Sequence, residues 1–308
     1  MAKRVKSKTE TKVRAGVKMK FNRGFDVINL LLLTLGMLVI LLPLWFIVVA
    51  SISDPLEIAS GRVLLLPRGL TFSGYEYAFS NNRIMLGYAN TVFYTVIGTL
   101  INLVVTLPAG YAIAARHLPG KRLLIIYFLI PMFFSGGLIP SYMLVKELNL
   151  LNTRTILLVN SALNITYLII CRSFFMSFSA DLEEAARIDG CGVFRIFGQI
   201  VLPLSRALIG VMVLYYGVMH WNAYFAALLY VRDPDKVPLQ LVLRNLLIAD
   251  DMSLLTEGLP PEEIYRRQKV GELIKYAVII ISSLPVMIVY PFLQKYFDKG
   301  VMLGSLKG

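Results

Sequence analysis

The fold class this sequence predicts is all-α integral membrane, with six transmembrane helices, and three observations predict it. Of the 308 residues, 57% are hydrophobic and 16% charged, where an ordinary soluble domain carries about 25% charged residues. Six long runs contain no Asp, Glu, Lys or Arg: 27–53, 84–115, 123–145, 155–171, 207–231 and 276–294. At about 1.5 Å of rise per residue, about 20 residues cross a hydrocarbon core about 30 Å thick. Six such runs leave too little polar sequence to cover a water-soluble surface.

In chain order, residues 1–24 form a basic tail and 25–308 a single membrane domain, because no low-complexity linker divides it. The spans are placed at about 27–50, 88–113, 123–145, 155–172, 207–231 and 274–294. The first exceeds the apolar stretch of a cleavable signal peptide and lacks a small-residue cleavage site, so it is expected to stay as an anchor. The fourth is the shortest and sits at the lower limit for crossing. Pro43, Pro108, Pro131, Pro140, Pro203 and Pro285 interrupt span interiors, which is tolerated where neighbouring helices or a water-lined cavity satisfy the freed backbone groups.

Charge sets the orientation. With the N-terminus inside, segments 1–26, 116–122, 172–206 and 295–308 hold 19 of the 31 Lys and Arg residues, which places both termini in the cytoplasm. The whole net charge of +12 then lies on that side. A basic tail next to a span meets anionic headgroups rather than nucleic acid. Cys171 and Cys191 fall near the same face and are expected to be reduced thiols, with no neighbouring histidines to make a metal site.

Three connecting segments are substantial. Segment 54–83 contains "PRGLTFSGYEYAFS", a turn followed by an aromatic stretch suited to the interface. Segment 232–275 is too long for a structureless loop; its "VPLQLVLRNLLI" predicts a short amphipathic helix and its "TEGLPPEEIYRRQ" a turn and helix start, with Pro261 in the first turn. Segment 172–206 predicts two short helices. Ser179 or Asp181 caps the first, Gly190 ends it in a left-handed turn, and 193–202 forms the second. Ala185 and Ala186 allow close approach, Glu184, Arg187 and Asp189 offer charged hydrogen bonds, and Leu182, Ile188, Phe194 and Phe197 supply apolar contact. Such a knob suits a protein socket. A helix lying on anionic lipid would favour Lys and Arg over its four carboxylates.

"EAARIDGCGVFRIFGQIVLP" resembles the EAA loop of bacterial ABC importer permeases, whose fixed positions are met by Glu184, Ala185, Ala186, Gly190, Ile200, Leu202 and Pro203. "QKYFDKGVMLGSLKG" resembles the C-terminus of the maltose-type carbohydrate permease subunit, and "FSGGLIPSYMLVKELNLLNT" is similar to the subgroup that imports polysaccharide-derived oligosaccharides. The resemblance implies a type I ABC importer permease fold in the bacterial cell membrane. Its implied partners are a second, different permease subunit, two ATPase subunits that carry ATP and Mg, an extracytoplasmic solute-binding protein and a carbohydrate substrate. It implies ATPase coupling through Glu184, Ala185, Ala186, Asp189, Gly190, Phe194, Leu202 and Pro203, with Glu184 meeting a basic group. It also implies a tail, with Gln294, Lys295, Gly300 and Lys307, along the ATPase interface, and a binding-protein loop at Glu257, Gly258, Leu259 and Pro260.

The chain contains no GxxxxGK[ST] phosphate loop, so the expected energy source is a separate ATPase and the chain itself is not expected to be an enzyme or to hold a cofactor. Two histidines and scattered carboxylates make no catalytic cluster. A secondary carrier would want carboxylates inside the spans, and the six runs contain none; a non-transport scaffold is the remaining alternative. A sugar path needs amides, hydroxyls and aromatic faces, and the candidates are Asn102, Asn160, Asn164, His220, Trp221, Asn222 and Tyr224. The competing reading of each is an interhelical hydrogen bond worth roughly 0.6 to 2 kcal/mol.

Overall fold

A computed structural model describes residues 23–115, 118–178, 180–248 and 274–291. Every regular element among them is helical. The chain divides into two compact units, residues 1–46 and 47–308.

Helix α1, Arg23–Ser51, starts four residues before the first uncharged run, with Asp26 in its first turn at the positive end of the helix dipole. In the first unit the consecutive residues Leu30, Leu31, Leu32 and Leu33 are all exposed, so apolar side chains point to every side, as on a helix solvated by hydrocarbon. In the second unit the last turn, Val49 to Ser51, is buried, and Ser51 Oγ lies 2.8 Å from the Tyr75 hydroxyl. Segment 54–83 folds into α2, Pro55–Ala59, capped by Asp54, and α3, Ser73–Ser80, which carries the expected aromatic stretch.

Asn81 Oδ1 accepts from the N–H groups of Arg83 and Ile84 and so starts α4, Asn82–Ala114. This 33-residue helix is the axis of the second unit. Its buried face carries Gly87, Thr91, Gly98, Asn102, Thr106 and Gly110, four or seven residues apart, while Val92, Val96, Leu100 and Val104 are exposed. The pattern inverts that of a soluble helix. Lipid is as apolar as leucine, so association relies on small residues that let backbones approach and on polar groups that bond across. A Cβ at Gly110 would lie 2.7 Å from Cys171 Cβ, and one at Gly98 would lie 2.5 Å from the His220 ring.

Lys121 begins α5, Lys121–Phe133, and donates from Nζ to the carbonyls of Ala114 and Ala115, closing the end of α4. Helix α6, Leu138–Glu147, follows at 113°, so the span expected at 123–145 is sharply bent at Phe134–Gly137. The span expected at 155–172 is likewise two helices, α7 (Arg154–Val159) and α8 (Ile165–Phe175). Its break has a cause: Asn164 Oδ1 accepts from Tyr167 N–H, capping α8.

The connecting segment contains α9, Ala180–Ile188, a turn at Gly190 with φ +79°, and α10, Val193–Ile196. The glycine turn is as expected. Of the two expected caps, Asp181 is corrected, because α9 begins at Ala180 and Asp181 lies inside it; Ser179, the residue before that start, lies outside the described residues. The second expected helix is also not uniform. A π turn over Phe197–Val201 separates α10 from α11, Leu202–Leu204, because Pro203 has no N–H for the ladder and its ring crowds the preceding carbonyl.

Buried Ser205 donates to Val201 O at 2.7 Å, and the chain turns by 81° into α12, Arg206–Trp221. A break at Asn222–Tyr224 leads to α13, Phe225–Tyr230. The amphipathic helix expected near 240 is α14, Leu239–Ile248, whose Leu239 N–H donates to Thr91 Oγ1 on α4 at 2.8 Å. Helix α15, Ile274–Pro291, buries Ile274, Ala277 and Val278. Pro261 and the turn around it lie outside the described residues. Three described helices, α1, α4 and α15, are long and apolar enough to cross a membrane, and the bent pairs α5–α6 and Val193–Leu204 with α12 raise the number to five.

At the start of α4 a polar knot ties the loops down. Lys236 Nζ lies 2.9 Å from Asp233 Oδ2 and donates to Asn152 O, while Asn152 Oδ1 accepts from the N–H groups of Arg232 and Asp233. Asn90 Nδ2 donates to Asp235 O and Val237 O. Hydrogen bonds from the Lys236 ammonium and from Asp235 N–H hold the Asp233 carboxyl below its ordinary range.

Substituting Gly98→Ala places a methyl against an imidazole that a 2.7 Å bond to Asn102 prevents from moving. The expected cost is about 1–3 kcal/mol, read as a lowered thermal unfolding midpoint in detergent. An unchanged midpoint would mean that His220 is not fixed in place.

Candidate functional site

Two arrangements carry functional potential, one at each end of α12. The first is the seat of α9. Ala186 is 5% exposed and packs into a core with Leu107, Ala114, Cys171, Phe175 and Ile196. The Glu183 carboxylate on α9 lies beside Tyr111 on α4. The Tyr111 ring lies 5.2 Å from that of Phe197 in the π turn and 5.7 Å, edge to face, from that of Phe175 on α8. One tyrosine therefore joins α4, α8, α9 and the π turn.

This seat sorts the knob residues into two sets. Glu184, Ala185, Arg187, Ile188, Asp189, Gly190, Phe194 and Pro203 are exposed, with Ile188 at 82% and Phe194 at 93%. Leu202 is half-buried. Ala186 does not face outward as expected, because it fills the subunit's own core, and Phe197 turns inward for the same reason. The side chain of Leu182, and the tail residues Gln294, Lys295, Gly300 and Lys307, lie outside the described residues, as do Glu257, Gly258, Leu259 and Pro260.

The second arrangement is a cavity of about 520 Å³ where three helix breaks meet: α5–α6, α7–α8 and α12–α13. Ser135, Ser141, Asn160, Ser161, Asn222 and Tyr224 give it polar walls. Breaks leave backbone N–H and C=O groups without helical partners, which a membrane protein tolerates where they line a cavity. Of the seven sugar-path candidates, three line this space: Asn160, Asn222 and Tyr224.

The other four serve the bundle. His220 Nε2 pairs with Asn102 Oδ1 at 2.7 Å, Asn102 Nδ2 donates to Ser161 O, and both side chains are buried. Trp221 Nε1 donates to Ser282 O at 2.9 Å, with its ring edge to face on Tyr88. Asn164 caps α8. Sequence reasoning passed over Tyr111 and Glu183; a tyrosine inside an uncharged run carries no mark until the helix that meets it is known.

The family described as the binding-protein-dependent transport system inner membrane component matches residues 15–303. Protein LplC of Bacillus subtilis (strain 168) is 40% identical over 94% of this chain and 97% of its own length. The polygalacturonan/rhamnogalacturonan transport system permease protein YtcP of the same organism is 38% identical over 93% of this chain and 99% of its own. A chain from the crystal structure of a bacterial ABC transporter involved in the import of the acidic polysaccharide alginate superposes with a TM-score of 0.83 at 32% identity, covering 90% of this chain and 98% of that one.

In Tyr111→Ala the ring contacts with Phe197 and Phe175 are lost, so amide hydrogen exchange in 183–201 should accelerate about tenfold with the rest of the protein unchanged. Unaltered protection of that segment would remove Tyr111 from its seat.

Proposed function

Because the chain belongs to the family of inner membrane components of binding-protein-dependent transport systems, we propose that it is the permease subunit of an ATP-driven carbohydrate importer, coupled to a separate ATPase through α9. The substrate reading rests on relatives named for polygalacturonan/rhamnogalacturonan and arabinooligosaccharide transport.

In this reading six spans cross the bacterial cytoplasmic membrane, the α7–α8 pair being the sixth, with both termini inside. Glu184 meets a basic group in an ATPase cleft, while Ile188 and Phe194 fill its apolar floor. Ala185 lets that cleft approach closely, and Asp189, Gly190, Leu202 and Pro203 shape the edge. Two ATPase subunits bind ATP and Mg, and a second, different permease completes the pathway. An extracytoplasmic solute-binding protein delivers the sugar to the loop containing Glu257, Gly258, Leu259 and Pro260. The tail with Gln294, Lys295, Gly300 and Lys307 runs along the ATPase pair.

The observation that carries the coupling role is the division of the surface segment: α9 is seated in the bundle through Ala186, while Ile188 at its end and Phe194 on α10 are almost fully exposed. Large apolar side chains held outward on a fixed, carboxylate-bearing helix suit a protein pocket better than water or an anionic lipid surface. Closure of the ATPase dimer would push this helix as one body with the ends of α4 and α8, switching the permease between inward-facing and outward-facing states.

Glu184→Lys is expected to leave membrane insertion and assembly intact while lowering uptake, and ATP hydrolysis stimulated by the binding protein, by about tenfold or more, the effect of reversing one partner of an interfacial charge pair. Uptake and stimulation equal to the parent would refute the coupling role.

A further inference from the structure

The surface between α1 and α4 supports an inference that goes beyond the carbohydrate-permease reading while resting on its placement in the membrane. Leu56, Leu64, Leu65, Leu66, Leu70 and Phe72 are each between 59 and 74% exposed there. We propose that this strap, residues 56–72, is immersed in the outer leaflet of the bilayer and anchors the outer end of α1 among the lipid headgroups. Its partner is the lipid surface itself, met by leucines below the phosphates and by Arg68 at their level.

The strap is fixed by its backbone. Asp54 N–H donates to Arg68 O at 2.9 Å, and Thr71 N–H donates to Ile52 O at 3.0 Å, so both of its ends are clipped to the chain that leaves α1. Buried Ser53 accepts from Arg68 N–H at its Oγ, 3.4 Å away. Gly69, at φ +62°, passes so close to this clip that a Cβ there would lie 2.8 Å from Asp54 Cβ. Val63 is buried and ties the middle of the strap to the fold. With Val63 inside and the backbone bonded, the leucines on either side of it have no core of their own to enter.

Position and chemistry say what covers them. Asp54 follows three residues after Ser51, the end of a helix apolar enough to cross the membrane, and the next such helix begins at Asn82. The strap is therefore held at both ends by chain entering or leaving hydrocarbon. Leu64, Leu65 and Leu66 are consecutive, and successive side chains leave a backbone in different directions. One rigid protein face does not meet all three, whereas a fluid leaflet solvates each of them, as hydrocarbon does Leu30 to Leu33. Arg68 is exposed between Leu66 and Leu70 and has no ion-pair partner among the described residues. A cation on an apolar stem beside leucines matches the phosphate layer above acyl chains. The nearby Glu57 carboxylate is paired with Arg62 at 3.4 Å, which lessens its repulsion of those phosphates. In water, a cluster of exposed apolar side chains of this kind is an aggregation hazard.

The test uses the whole transport system expressed in cells, with the photoreactive amino acid p-benzoylphenylalanine replacing Leu33, Leu65, Leu70 or Asp235 in turn. All four positions are exposed, so the chain is expected to insert as the parent does. After irradiation the adducts are identified by mass spectrometry. The expected result is phospholipid adducts at Leu65 and Leu70, as at Leu33 on α1, and none at Asp235 in the polar loop that follows α13. In proteoliposomes of phosphatidylglycerol and phosphatidylethanolamine, a nitroxide on Leu65→Cys should be relaxed more by oxygen than by a water-soluble nickel chelate, at a depth of about 5–10 Å in the headgroup and acyl boundary. Adducts at Leu65 and Leu70 to another protein subunit, or to no molecule, with lipid adducts at Leu33, would overturn the strap's immersion and leave the permease reading standing. Lipid adducts at Asp235 equal to those at Leu65 would also overturn it, because contact would then not follow the leucines. Absence of lipid adducts at Leu33 as well would overturn the membrane placement of α1 beneath it.

Discussion

Tyr111 is the contact on which the mechanical reading depends. It sits near the end of the axial helix, beside Glu183 on the surface helix, with its ring against those of Phe197 and, edge to face, Phe175. A surface helix of nine residues is too short to be stable alone, so its geometry is borrowed from the bundle through this tyrosine and through buried Ala186. A load applied to the exposed face then moves the ends of α4 and α8 together, because close-packed side chains transmit displacement rather than absorb it. The π turn and the 81° bend at Ser205 extend the same path into α12, the helix whose far end borders the cavity.

The bilayer imposes the rest. Without a hydrophobic force to pair helices, the axial helix is held by a stripe of glycine, threonine and asparagine, and its tightest point is the Gly98–His220–Asn102 cluster. The same solvent punishes every broken helix unless its free backbone groups find water or a partner. That three breaks converge on one polar cavity is how the fold meets this constraint. Outside the spans the rules are those of water. There, Asn152, Asp233 and Lys236 lock the loop between α13 and α14 with ordinary hydrogen bonds and an ion pair.

The uncharged runs overlap the described helices, since composition decides what dissolves in lipid, and the glycine at 190 marked the left-handed turn that follows α9. Where helices break was less visible. Asn164 reads as one more polar residue in an apolar run, and only its cap on Tyr167 N–H reveals why the 155–172 span divides. His220 and Trp221 were sugar-path candidates with an interhelical bond as the competing reading, and the bond is what they make; their partners, Asn102 and Ser282, lie 118 and 61 residues away and no local pattern connects them. Asn160, Asn222 and Tyr224 were legible as candidates, but the cavity that unites them arises from three separate segments. Ala186 was misread for a related reason: in a motif of two alanines, periodicity alone does not say which one faces home.

In the proposed function the free face of α9 and α10 is gripped by an ATP-hydrolysing subunit. The most direct measurement is cysteine-directed crosslinking from Ala185→Cys and Phe194→Cys in membrane vesicles from cells expressing the whole transport system, with the products identified by mass spectrometry. The account predicts a crosslink to an ATPase subunit whose yield changes when ATP is added. Crosslinks to phospholipid alone, at both positions and with or without ATP, would contradict it.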